Sequence, residues 1–308
     1  FLRLRPTLSY TANAVNLTIE AGSYLDVVDP NSQVQVAYAE LLDRNRASDG
    51  DFGDLYGPLD LQDQATIQAT LEGLAPRVQT LGGAMGVAGV DALAQFSRDR
   101  ITRYDPNSGG TVAMIGRPLQ MAARAATPLD ASGSEGVVED GGLPDNMSLY
   151  LAAGYIDGDS APMTGTTGRN PFDGWYGSLG LELNLGSGMI GFSGSYADLS
   201  GNVRGLPQTA QSQLWEASAY WKMQGPAGVS LDGLIGLGEV STKTSRMVGF
   251  VGTNYTLRSD DNAVVLNGEV GLSKTFAGGS GVRVTPRAAL RANSIAFAAT
   301  SASGLPLC

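Results

Sequence analysis

The chain has 308 residues, of which 43% are apolar and only 16% charged, with 42 glycines, a net charge of −10 and no histidine. Such a balance excludes a disordered polyelectrolyte, and the acidic net charge argues against nucleic acid, whose phosphates need a basic stripe. Without histidine there is no Ser-His-Asp triad, no histidine metal ligand and no histidine general base, so catalytic residues, metals and cofactors are expected to be absent from this segment.

Residues 1–31 open with Leu8, Tyr10, Val15, Leu17 and Ile19 in a strand-like rhythm, followed by a loop-like stretch. They read as the end of a larger β-rich unit. From 32 to 104 the period becomes helical, over Val34 to Asn45, over Gln62 to Leu74, and over Arg77 to Arg103. The third helix sets Val78, Leu81, Met85, Leu93 and Phe96 on one stripe. Its Gln79, Thr80, Asp91 and Gln95 make a helix packed on protein a better reading than one in lipid. Gly82, Gly83, Gly86 and Gly89 each weaken it by about 1 kcal/mol relative to alanine. Close packing and fraying both account for them.

Residues 105–146 form a linker punctuated by Pro106, Pro118, Pro128 and Pro144. Pro118 suits a first helical position, so Leu119 to Ala126 is a candidate short helix that could occupy a pore. The carboxylate pairs Asp60 with Asp63 and Glu139 with Asp140 fall on this connector and linker, and read as cap or loop charges.

From Met147 onward the side chains alternate. Trp175, Gly177, Leu179, Leu181, Leu183 and Leu185 oppose Tyr176, Ser178, Gly180, Glu182 and Asn184, so one strand face is apolar and the other polar. The split recurs over Leu214 to Met223, over Val229 to Leu237 with Leu234 as the misfit, and over Val282 to Asn293. The polar parity carries Glu182, Glu216, Asp232, Glu269, Arg283, Arg287 and Arg291. A soluble sandwich alternates too, but Trp175, Trp215 and Trp221 all lie on the apolar parity, as interfacial aromatics of a membrane barrel do. Placing the seven charged residues in a water-filled lumen avoids a penalty of roughly 2–4 kcal/mol for an arginine at the lipid midplane.

Long polar connections are expected over 157–170, 200–210 and 241–262, with Val248 to Leu257 as a hairpin extension above the membrane. Short glycine-rich turns alternate with them over 186–188, 224–228 and 277–281. The glycines of 233–238 and 278–281 belong to a strand and a turn rather than to a phosphate loop. Seven spanning strands result. Bacterial single-chain barrels have even strand numbers, so an all-β, up-and-down antiparallel transmembrane barrel that is incomplete at its C-terminus is expected, and a missing export signal points the same way. The single cysteine, Cys308, permits no intrachain disulfide.

Three stretches carry a family resemblance: Leu149 to Asp159 (LYLAAGYIDGD), Phe172 to Leu183 (FDGWYGSLGLEL) and Asn267 to Leu290 (NGEVGLSKTFAGGSGVRVTPRAAL). With the β-rich start, helical connector and linker before them, they resemble the C-terminal part of a bacterial autotransporter of the type V secretion system. The resemblance implies a translocator of about twelve strands, seven of them present. Residues 1–31 would end a β-solenoid-like passenger, 32–104 be the connector, 105–146 the linker, and 147–308 the barrel domain. It further implies an outer-membrane anchor that takes its own N-terminal passenger to the cell surface, with outer-membrane lipid, the barrel assembly machinery and that passenger as partners, and a monomeric barrel. The family threads a helix through the barrel just before the first strand, whereas the strongest helix here ends about forty residues earlier. Two other readings stay open: an outer-membrane channel or surface barrel without a secretion role, and the C-terminal part of a surface protease or esterase whose catalytic domain lies upstream.

Overall fold

The computed structural model describes residues 4–46, 53–104, 112–122, 135–138, 143–161, 168–250, 253–277, 283–297 and 302–303. Strands β1 (Leu4–Tyr10) and β2 (Val15–Ala21) form an antiparallel hairpin whose Leu8, Tyr10, Val15, Leu17 and Ile19 are all exposed. Three short helices follow: α1 (Gln33–Asn45), α2 (Gly53–Asp60) and α3 (Gln64–Gly73). Ser32 and Asp63 start α1 and α3 by accepting the N–H of the residue three positions on, Gln35 and Thr66. The short helices enclose a small core of Tyr24, Val27, Val28, Ala39, Tyr56, Leu59, Ile67 and Leu71. Asp60 is buried there, bound to Arg46 at 2.8 Å and to the Tyr24 hydroxyl at 2.7 Å, so it is a structural ion-pair partner rather than a solvated loop charge. Glu139 and Asp140 lie outside the described residues.

Helix α4 (Arg77–Arg103) follows, with the bounds its period predicts. Strands β3 (Val112–Ala122) and β4 (Glu135–Val138) come next. The expected short helix over Leu119 to Ala126 is therefore wrong for residues 119–122, which are extended, and its remainder lies outside the described residues. β3 lies parallel to the next strand and satisfies backbone groups that an open sheet edge would leave unpaired, so pairing overrides the local helix propensity.

The sheet is then built in chain order: β5 (Met147–Ser160), β6 (Asn170–Asn184), β7 (Gly188–Asn202), β8 (Gln208–Gln224), β9 (Val229–Phe250) and β10 (Thr253–Lys274). The two-residue strands β11 (Phe276–Ala277) and β12 (Arg283–Val284) pair with each other, β13 (Arg287–Phe297) returns along β10, and β14 (Ala302–Ser303) pairs with β10 further up. β5 to β10 and β13 are seven consecutive antiparallel neighbours. Among the described residues the sheet is open, with β13 at one edge and β4 at the other.

The strands run further than hydropathy alone indicates. β9 and β10 pair in register from Val229 with Lys274 up to Phe250 with Thr253, through the whole stretch expected as a long connection. Similarly, β7 and β8 leave only residues 203–207 between them. In these upper halves both faces are polar, as at Thr242, Lys243, Thr244 and Ser245, so the hydrophobic period fades while the hydrogen-bond ladder continues.

Helix α4 touches β5, β6, β7, β8 and β9. A single helix reaches five successive strands only if the sheet curls around it. Two clusters fill the space between: Leu81, Met85 and Leu93 of α4 against Phe172, Leu199, Leu214, Val240 and Val265, and, nearer the short turns, Phe96 and Ile101 against Tyr150, Met189, Tyr220 and Leu234. Leu234, out of place on the sequence pattern, is a buried member of the second cluster. The concave face is thus more apolar than a water-filled lumen would be, because a helix rather than water occupies it.

Candidate functional site

The helix and its cradle are the site with built geometry. Pro76 at the N-cap of α4 offers no capping side chain, which leaves the first turn with unsatisfied N–H groups. Gln208 of β8 supplies the missing partner: the Val78 N–H donates to its Oε1 at 3.1 Å, and its Nε2 donates to the Ala75 carbonyl at 3.1 Å. At the other end, Lys222 of the same strand donates from Nζ to the Ile101 carbonyl at 3.0 Å, where a cation suits the negative end of the helix dipole. Tyr104 then donates its hydroxyl toward Asn184 Oδ1 at 2.8 Å and the Gly188 carbonyl at 2.9 Å. One strand therefore holds both ends of the helix.

The glycines of α4 set its distance from the wall. A Cβ on Gly82 would lie 2.6 Å from Thr242 Cγ2, one on Gly89 3.3 Å from Leu214 Cδ2, and one on Gly86 3.5 Å from Val240 Cγ1. Close packing explains Gly82 and Gly89, whereas at Gly86 an added Cβ would make only an ordinary contact. Gly83 faces open space, so packing does not explain it.

Below the glycines the contacts become ionic. Arg100 binds Glu182 of β6 through two bonds of 2.8 and 2.7 Å, and Glu182 also accepts from the Tyr220 hydroxyl at 2.8 Å. Arg98 joins Glu269 of β10 at 3.0 Å and Asp91, on its own helix, at 3.1 Å. Glu269 further binds Arg291 at 2.7 Å and Arg287 at 2.6 Å, and Arg287 bonds in turn to Asp232 of β9. A Cβ on Gly271 would strike both Arg287 Nη2 and Asp232 Oδ2, so this glycine lets the pair pass over β10. Glu216 accepts from Asn267 Nδ2 at 2.8 Å. Hydroxyl pairs Ser178 with Ser195 and Ser193 with Ser218 complete the polar middle of the concave face at 2.7 and 2.6 Å.

Of the seven charged residues singled out in sequence, Glu182, Glu216, Asp232 and Glu269 are buried on this concave face. Arg287 and Arg291, on the edge strand β13, are more exposed and join the same network. The backbone of Arg283 pairs with Ala277 in the β11–β12 hairpin, and its side chain lies outside the described residues. Glu269 and Arg291 meet on adjacent strands, Asp232 and Arg287 meet over β10, and of these acids Glu182 and Glu269 bind α4. Arg98 and Arg100 went unrecognised in sequence. Cations near a helix C-terminus have a sufficient local reason in the dipole, so nothing in the helix alone marked them as partners of the wall.

The convex face is apolar across β5 to β10, with exposed Leu151, Leu179, Phe192, Leu237, Leu266 and Leu272. Trp175, Tyr196 and Trp215 form a ring cluster on it, with centroids 5.1 and 4.3 Å apart. Tyr155 pairs in register with Trp175, and Tyr196 with Trp215, so the aromatics lie in a row across four strands. Trp221 lies on the same face near the short-turn end, its ring over Gly233. On β8 the apolar band runs from Trp215 to Met223, close to the span of about 9–11 residues that a tilted strand needs to cross a bilayer. Among the described residues no helix is long and apolar enough to cross a membrane.

A family model described as an autotransporter β-domain matches residues 150–307. No curated protein and no solved structure matches the chain.

Proposed function

Since the chain belongs to the autotransporter family, whose β-domain is an outer-membrane translocator of type V secretion rather than a catalytic domain, we propose that it carries its own N-terminal passenger through the barrel along the path of α4 to the cell surface. The observation that supports this reading is the direction of α4. Its N-terminal end lies at the long β9–β10 hairpin, where Arg246 bonds to the Leu74 carbonyl, and its C-terminal end lies at the short β6–β7 turn, against Gly188. Long hairpins face outward and short turns face the periplasm in such barrels. Everything before Arg77 is therefore delivered outside, and the helical unit of α1 to α3 sits on the outer rim.

In this reading Glu182, Glu216, Asp232, Glu269, Arg283, Arg287 and Arg291 line the lumen, and Glu182 and Glu269 hold α4 there through Arg100 and Arg98. Trp175, Trp215 and Trp221 mark the two membrane interfaces. Outer-membrane lipid, the barrel assembly machinery and the passenger are its partners, and the barrel is a monomer that needs no cofactor. An open channel is less well supported, because α4 and its apolar clusters occupy the concave face. A surface enzyme lying upstream is compatible with the proposal, since it would be the passenger.

The test is display of an epitope fused ahead of Phe1, read with antibody on intact cells. Surface signal that is lost when α4 is deleted supports the proposal. An epitope that stays periplasmic with the whole chain in the outer membrane contradicts it.

A further inference from the structure

Two depressions on the convex wall adjoin each other across the aromatic row. The lower one, about 850 Å³, lies beneath the rings of Trp175, Tyr196 and Trp215, and its lining includes Leu179, Gly194 and Ala217, with the exposed Glu239 opposite Trp215. The upper one, also about 850 Å³, spans β6 to β10 and is lined by Lys243, Arg258, Asp173, Asp260, Thr209 and Ser245. Register places Gln211 opposite Lys243, four residues above Trp215, about 13 Å further along the strand. The upper depression thus stands at the height of lipid head groups, and the lower one at the height of the first acyl carbons.

The chemistry of the upper depression is specific. Neither Lys243 nor Arg258 is in an ion pair with a described residue. Asp260 faces Lys243 across the ladder, so the depression sets two cations, which bind a phosphate through charge-assisted hydrogen bonds, beside two carboxylates, Asp173 being the other. The carboxylates of Asp173 and Asp260 repel a bare anion but accept hydrogen bonds from sugar hydroxyls, and Thr209 and Ser245 offer neutral donors. A diacylated glycerol phosphate, its glycerol hydroxyls esterified, would leave those acceptors idle, whereas a phosphorylated sugar uses both sets.

We infer that the wall formed by β6 to β10 binds an acylated sugar phosphate of the outer leaflet, its phosphate between Lys243 and Arg258 and one acyl chain in the furrow over Gly194. The inference rests on the outer-membrane placement of the strands. It gives the barrel a bound lipid on the side where the β9–β10 hairpin rises.

The full chain, refolded into zwitterionic detergent micelles, is mixed with a diphosphorylated, acylated glucosamine disaccharide and examined by native mass spectrometry. One lipid should be retained per chain. Its apparent affinity should fall at least about tenfold in the Lys243→Gln/Arg258→Gln double variant, the loss expected from removing two charged hydrogen bonds. Gly194→Leu, where a side chain meets no protein atom within 4 Å of its Cβ, should reduce retention by filling the furrow. Equal retention by the double variant, equal retention of phosphatidic acid, or equal competition by inorganic phosphate alone overturns the inference. Heat-modifiable mobility of the native chain is read in the same samples: its absence overturns the membrane placement and the inference together, whereas its presence with unselective binding overturns the inference alone.

Discussion

Val78 and Gln208, 130 residues apart, share a buried hydrogen bond of 3.1 Å that closes the N-terminal end of α4 against the wall. Because Pro76 has no capping side chain, Gln208→Ala leaves the Val78 N–H and the Ala75 carbonyl without this partner in a buried place. A cost of about 1–3 kcal/mol is expected for the buried groups left unpaired. Amide exchange in the first two turns of α4 should speed up accordingly, while exchange in β6 and β7 stays unchanged.

Arg100 and Glu182 make the two-point contact that fixes the lower half of the helix. Removing one partner of a buried ion pair costs about 3–5 kcal/mol, because the other is left uncompensated. Arg100→Ala should therefore lower the urea midpoint of heat-modifiable mobility more than Arg100→Ala with Glu182→Ala does. If the double variant is as unstable as the sum of the singles, the pair does not hold the helix.

Leu181 and Arg291 test which face is which. Leu181 shares its strand face with the exposed Leu179, while Arg291 lies on the other side, where Glu269 keeps Arg98 and Arg287 as partners in its absence. Leu181→Arg should destabilise the inserted domain by about 2–4 kcal/mol, the penalty for an arginine facing lipid. Arg291→Leu should leave assembly near the native level. Equal effects on heat-modifiable mobility would reverse the assignment of faces.

Asp63 gives the helical unit an acid response. The Thr66 N–H, first among its causes, holds the Asp63 carboxyl below the usual carboxylate range. A depressed folded value means that the cap stabilises α3 fully above the unfolded value, near 4, and loses that contribution as pH falls through the lower folded value. Asp63→Asn, which still caps, should abolish the loss of α3 amide protection, taken relative to the intrinsic exchange rate at each pH, between about pH 5 and 2. A loss that persists in this variant would place its origin elsewhere.

Much of this arrangement was legible from period and parity. The bounds of α4 and the seven strands follow from spacing, because a strand repeats every second residue and a helix every third or fourth. The resemblance read in Leu149 to Asp159 and its companion stretches agrees with the matched family. What lay out of reach depended on partners distant in sequence. The upper halves of β9 and β10 carry polar residues on both faces, so their ladder leaves little hydropathy period to read. β3 is a strand because β5 offers an edge, not because its residues favour one. The reason for Gly82 becomes visible only with Thr242 beside it, and that for Gly271 only with Arg287 and Asp232 meeting above it.

Labelling of intact cells reads the direction of α4. With Cys308→Ser as background, Glu40→Cys on exposed α1 and Ser187→Cys in the β6–β7 turn are treated with a membrane-impermeant maleimide. Position 40 should label in intact cells, and position 187 only after the outer membrane is permeabilised. Labelling of 187 but not 40 in intact cells would contradict that direction.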